Sequence, residues 1–161
     1  AQAKTFIYAF LYGAGAAKIG KIVNGTAADG QDLIDKFLEA TPALHTERQR
    51  VTLAAERGFI KGLDGRRLFI RSPHAALNTQ LQGAAAIVMK RGLVIFNDKL
   101  PEGARFVANV HDEWQLEVDK PLSDMVGTLG IDSIKEAGEF YNLKCPLTGE
   151  YNVGANWAET H

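Results

Sequence analysis

Apolar residues in the opening stretch fall at Phe6, Phe10 and Leu11 among good helix formers, so residues 1–12 are predicted to form a helix that Gly13 and Gly15 stop. Residues four apart share a helix face, and Lys4, Tyr8 and Tyr12 therefore make one stripe, a cation followed by two phenol rings. Further helices are predicted over Ala17 to Ile22, Asp29 to Ala40 and Pro42 to Arg57, with Thr41-Pro42 breaking the third and starting the fourth. Phe59-Ile60 and Arg67 to Ile70 flank an Asp64-Gly65 turn signal and read as a hairpin. After Ser72-Pro73, the Ala-, Leu- and Gln-rich run from Ala75 to Lys90 reads as a long helix with Asn78 and Gln82 one turn apart, its end blurred by Arg91-Gly92.

The period then changes from helical to alternating. Phe106 to Val110 and Trp114 to Val118 are predicted strands, and His111-Asp112-Glu113 is the tight bend between them. Ser123 to Tyr141 suggests a helix interrupted at Gly127 and Gly130. The tail from Pro146 onward is rich in turn residues, with Trp157 as its anchor. The expected fold class is α/β in the mixed, α+β sense. Its division is a helical segment over residues 1–57, then a hairpin, a long helix and an antiparallel strand pair over residues 58–161.

Composition adds little to this picture. At 161 residues, 46% hydrophobic and 23% charged, the chain is an ordinary globular domain in which disorder, coiled coil and collagen-like repeats have no basis. No apolar run approaches the roughly 20 residues of a spanning helix, and the first seven residues lack a signal-peptide layout, so a cytoplasmic protein without a membrane partner is expected. The single cysteine, Cys145, has no disulfide partner and no metal-ligand spacing, and is expected to be a buried or inert thiol. The net charge is -1, yet Lys61, Arg66, Arg67, Arg71 and His74 face only Asp64 in their segment. That patch suits nucleic acid and equally suits a solvated surface.

Two constellations carry possible chemistry. Asp112 and Glu113 at a strand bend are where carboxylates reach solvent, as magnesium ligands acting on phosphate must, although a polar turn has the same pattern. The Lys4 stripe could hold a phosphate and offer rings to a sugar or base, although aromatic residues at helical spacing are commonly packing.

Lys4-Thr-Phe-Ile-Tyr8-Ala-Phe-Leu-Tyr12-Gly13 resembles motif B of the DNA polymerase I family (family A), and Val110-His111-Asp112-Glu113 is similar to its motif C. Gly65-Arg66-Arg67, the run from Arg71 through Asn78 to Gln82, and the ending Gly154-Ala-Asn-Trp157 look most like the replicative polymerases of short-tailed bacteriophages. The matches keep the family's order along essentially the whole chain. The resemblance implies helical fingers and part of a palm, and template-directed DNA synthesis with Mg2+, primer-template DNA and deoxynucleoside triphosphates. It implies that Lys4 binds nucleotide phosphates, that Tyr8 lies near the sugar at the position governing 3′-hydroxyl discrimination, and that Tyr12 stacks near the template base. Asp112 would be a magnesium ligand with Glu113 beside it, His111 would meet the primer terminus, and Arg66, Asn78 and Gln82 would contact DNA.

Two parts of the family pattern are missing. The motif B arginine would precede Ala1, and the motif A aspartate would lie further upstream. A chain with one carboxylate segment is therefore expected to need an upstream polymerase segment, in a split or processed enzyme, and to be inactive alone. A catalytically dead remnant that binds nucleic acid, and a purely structural module, are the rival readings. If a partner exists, apolar surface should be exposed where it packs.

Overall fold

The computed structural model describes residues 2–160. Two compact units divide at the long helix, Ala1–Gly83 and Ala84–His161. This differs from the sequence-based division at 57/58 because the first hairpin packs with the helices before it, Ile60 and Leu68 joining their core.

In the first unit, helices α1 (Gln2–Leu11), α2 (Ala16–Ile22), α3 (Ala27–Ala40) and α4 (Pro42–Ala55) precede strands β1 (Phe59–Lys61) and β2 (Arg67–Phe69). Phe6 and Phe10 turn inward and meet Phe37 of α3 edge-on, with ring centroids 5.2 and 5.1 Å apart. Helix α3 begins with a capping box: Thr26 accepts from the Asp29 amide, and the Asp29 carboxylate accepts from the Thr26 amide. Bonds donated by the Thr26 amide and hydroxyl hold the Asp29 carboxyl below its ordinary range. Helices α2 and α3 cross in backbone contact at Gly20 and Gly30. A Cβ on Gly30 would lie 2.0 Å from the Ala16 carbonyl oxygen.

Strands β1 and β2 pair antiparallel, Phe59 with Phe69, Ile60 with Leu68, Lys61 with Arg67. The loop closes through Gly65 at φ +82°, where glycine carries no Cβ penalty. Helix α5 (Ala76–Lys99) enters this unit with Ala76 and Leu77 buried.

In the second unit α5 continues to Lys99, past Arg91-Gly92 where the sequence suggested an end. Gly92 is kept for space: a Cβ there would lie 2.9 Å from the Trp114 ring and 3.0 Å from Ile134. Strands β3 (Ala104–Val110) and β4 (Glu113–Val118) form a second antiparallel pair whose inner face carries Phe106 and Trp114 against Phe96. Register shifts between Phe106 and Ala108, leaving Val107 as a bulge with 66% of its surface exposed.

Helix α6 (Ser123–Phe140) is continuous through Gly127 and Gly130, contrary to the predicted interruption. Tyr151 lies on Gly127 and Phe96 on Gly130, so both glycines serve close packing instead of breaking the helix. Cys145 is exposed, not buried; its thiol is 3.8 Å from the Pro146 carbonyl. No helix among the described residues is long and apolar enough to cross a membrane.

Candidate active site

On α1 the two aromatic pairs separate by face. Phe6 and Phe10 are buried, while Lys4, Tyr8 and the following Tyr12 are exposed, the two tyrosines by 53% and 58%. The stripe is therefore not core. The Lys4 ammonium lies 5.9 Å from the Tyr8 ring centroid, a cation close to a ring it can rest against. Tyr12 accepts a hydrogen bond from the Gln82 amide of α5 at 3.1 Å. The fold thus brings together two residues that sequence reasoning assigned to template stacking and DNA contact. Asn78, one turn before Gln82, is half-buried. Arg66 sits in the first hairpin, where its guanidinium clasps Asp64 at 2.6 Å and holds that carboxyl below its ordinary range.

In the second unit Val110 pairs with Glu113, which leaves His111 and Asp112 as a two-residue turn. Glu113 is therefore the first residue of β4 and not part of the bend itself. His111 and Asp112 are exposed, and Glu113 is half-buried. His111 has φ +53°, a left-handed backbone that non-glycine residues rarely adopt.

The Glu113 carboxylate is held by neighbours. Its Oε1 accepts from the Trp157 indole Nε1 at 3.0 Å and from the Gln115 side-chain amide. Strand alternation puts Gln115 on the Glu113 face and made that contact legible. Trp157, 44 residues away, has no local signal linking it to Glu113.

Asp112 offers hard carboxylate oxygens of the kind magnesium prefers, and its exposure leaves them open to an ion. Among the described residues no group of three or more His, Cys, Asp or Glu side chains gathers to hold one. The donor set fits one carboxylate segment of a metal site, not a complete site.

The sequence profile of DNA polymerase family A matches residues 1–159. The DNA-directed DNA polymerase of Enterobacteria phage T3 is 39% identical, with 99% of this chain aligned to 26% of the relative. That of Escherichia phage Phieco32 is 38% identical over 99% of this chain and 28% of its own length. DNA polymerase I of Pseudomonas aeruginosa is 34% identical over 99% and 19%. The chain thus spans about a quarter of the phage relatives it matches. The fold is shared with the POL domain of Pol1 from M. smegmatis, solved in complex with DNA primer-template and dNTP. The TM-score is 0.80 at 20% identity, covering 91% of this chain and 28% of that one. On a profile match that runs through both the Lys4 stripe and the Asp112 turn, the chain belongs to DNA polymerase family A.

Proposed function

We propose that this chain is the part of a template-directed DNA polymerase that grips the incoming nucleotide and supplies one of the carboxylates at the reacting phosphate. The observation that carries this reading is that the fold exposes Lys4, Tyr8, Tyr12, His111 and Asp112 of the two family motifs while burying Phe6 and Phe10 between the first three.

Lys4 neutralises nucleotide phosphates as a flexible point charge, Tyr8 lies along the sugar, and Tyr12 stacks near the template base. Gln82, bonded to Tyr12, and Asn78 meet the bases beside it. Arg66 contacts the DNA backbone, and His111 the primer terminus.

In the reaction the primer 3′-hydroxyl oxygen attacks the nucleotide α-phosphorus. The new P–O bond forms as the bond to the bridging oxygen breaks, pyrophosphate departs with that electron pair, and the hydroxyl proton passes to solvent. Asp112 would hold magnesium, which supplies charge neutralisation at the phosphate oxygens when bound. Glu113, fixed by Trp157 and Gln115, keeps a second negative charge beside it.

An upstream segment supplies the remaining carboxylate. The outer edge of β3 supports this: among the described residues it pairs only with β4. Val94, Phe106 and Val107 line an open trough of about 360 Å³ along it. The test is primer extension by the chain assembled with a segment carrying motif A. Asp112→Asn keeps the shape and removes the charge, and should cut incorporation on the order of 1,000-fold or more with folding intact. Full activity in that variant would remove the metal role, and no activity from a stoichiometric assembly would favour the binding-only remnant.

A further inference from the structure

The corner between α2 and α3 holds a reactive dipeptide that the turn itself selects. Helix α2 ends in a Schellman motif: the Gly25 amide donates to the Gly20 carbonyl at 2.8 Å and the Asn24 amide to the Lys21 carbonyl at 3.3 Å. Asn24 sits at φ +58°, a left-handed position that favours glycine or asparagine. The next residue has little room for a side chain, because a Cβ on Gly25 would lie 2.8 Å from the Asp29 carboxylate that caps α3. Asparagine followed by glycine meets both demands. Of the seven asparagines in the chain, only Asn24 precedes a glycine.

That pairing carries its own chemistry, since a glycine offers no side chain to crowd the approach of its backbone nitrogen to the preceding amide. Asn24 and Gly25 are exposed, and among the described residues nothing hydrogen-bonds the Asn24 side chain. The restraint is the turn, which commits the Gly25 hydrogen to the Gly20 carbonyl.

We propose that Asn24 is a site of spontaneous deamidation, gated by opening of this corner. Once the turn opens, the deprotonated Gly25 nitrogen attacks Asn24 Cγ and closes a succinimide ring. The side-chain nitrogen leaves with its bonding pair and takes up the proton that Gly25 lost, departing as ammonia. Water then opens the ring: addition at Cγ gives aspartate, and addition at the main-chain carbonyl gives isoaspartate, whose backbone is longer by one methylene. The corner has no space for that length, since even a Cβ on Gly20 would lie 1.9 Å from the Thr26 carbonyl oxygen. Isoaspartate therefore breaks the end of α2 and displaces the Thr26 cap of α3. Helix α3 carries Phe37, against which Phe6 and Phe10 pack, so the damage reaches the helix of the Lys4 stripe. Water is the only co-reactant, and the proposal is independent of the polymerase reading.

The test ages the full chain at mildly alkaline pH, without DNA or nucleotide, in buffer and in unfolding urea. Peptide mapping by mass spectrometry follows all seven asparagines, and an isoaspartyl methyltransferase with labelled methyl donor counts the isoaspartate. Asn24 should convert first in both, about 10-fold faster in urea, because the closed turn leaves a small open fraction to react. Asn24→Gly should abolish the isoaspartate at that peptide and keep the parental urea midpoint, since glycine adopts the left-handed backbone freely. The isoaspartate form, purified by chromatography, should unfold at lower urea than Asn24→Asp, which has the same charge and a backbone of normal length. Earlier conversion of another asparagine, equal rates in buffer and urea, or a shared midpoint for the isoaspartate form and Asn24→Asp would overturn the proposal.

Discussion

Trp157→Phe isolates the contact between the tail and the hairpin. The tail closes on itself through Glu159, which accepts from the Ala155 amide and the Asn156 side chain, both at 2.8 Å. Its attachment to the rest of the second unit includes the 3.0 Å indole-to-carboxylate bond and the packing of Tyr151 on Gly127. Phenylalanine keeps most of the ring and removes the N–H. A hydrogen bond to a charged acceptor contributes about 1.5–3 kcal/mol when shielded; with Trp157 48% exposed, water competes, and about 1 kcal/mol is the expected loss. That corresponds to roughly five-fold more frequent opening of the tail. Native-state hydrogen exchange at the Glu159 and Thr160 amides should quicken by that factor, with the centre of α6 unchanged. In the assembled polymerase, a Glu113 carboxylate freed to rotate should lower kcat and leave the nucleotide KM alone. Unchanged tail exchange would refute the tether, and a change in KM alone would refute its role in orienting Glu113.

Two further predictions concern the first unit. Gly30→Ala would ordinarily gain about 1 kcal/mol in a helix, but here the sign reverses because the nearest obstacle is the Ala16 backbone carbonyl, which cannot rotate away. A loss of about 2 kcal/mol or more in urea unfolding is expected, and a stabilised variant would contradict the close crossing of α2 and α3. Glu47 accepts from Arg50 and from Gln80 of α5, and the Arg50 bond, with Gln80 adding to it, holds its carboxyl below the ordinary range against partial burial. A depressed carboxylate stabilises above its unfolded pKa, and that contribution is lost as pH falls through the folded one. Glu47→Gln should therefore flatten the acid limb of stability below about pH 4.3 in urea midpoints, and parallel limbs for variant and parent would exclude the linkage.

Much of the fold was legible because its signals are local. Pro42 at a helix start, the Asp64-Gly65 turn and the alternation of residues 106–118 each constrain backbone within a few residues. The misread helix breaks share one cause. Gly92, Gly127 and Gly130 looked like breaks, because glycine weakens an isolated helix, yet each makes room for a ring supplied from elsewhere in the unit. A sequence shows the missing side chain and not what fills the space. Exposure of the Lys4 stripe likewise depends on tertiary partners. Phe37 of α3 meets Phe6 and Phe10 and draws them inward, which leaves the stripe outside.

The turn at His111-Asp112 shows how chemistry and folding compete at a single site. Pairing of Val110 with Glu113 leaves two residues to reverse the chain, and such loops favour glycine or asparagine wherever φ is positive. Histidine occupies that position at φ +53°, which costs about 1 kcal/mol or more in a bare peptide. A turn shaped for stability alone would place an undemanding residue there. The strain is held by what surrounds it: Phe106 and Trp114 pack on Phe96 beneath the strands, and Trp157 and Gln115 clasp Glu113 at the start of β4. In the proposed site, a histidine on strained backbone and an exposed carboxylate side by side on a braced hairpin would present fixed polar groups to phosphate without reorganising.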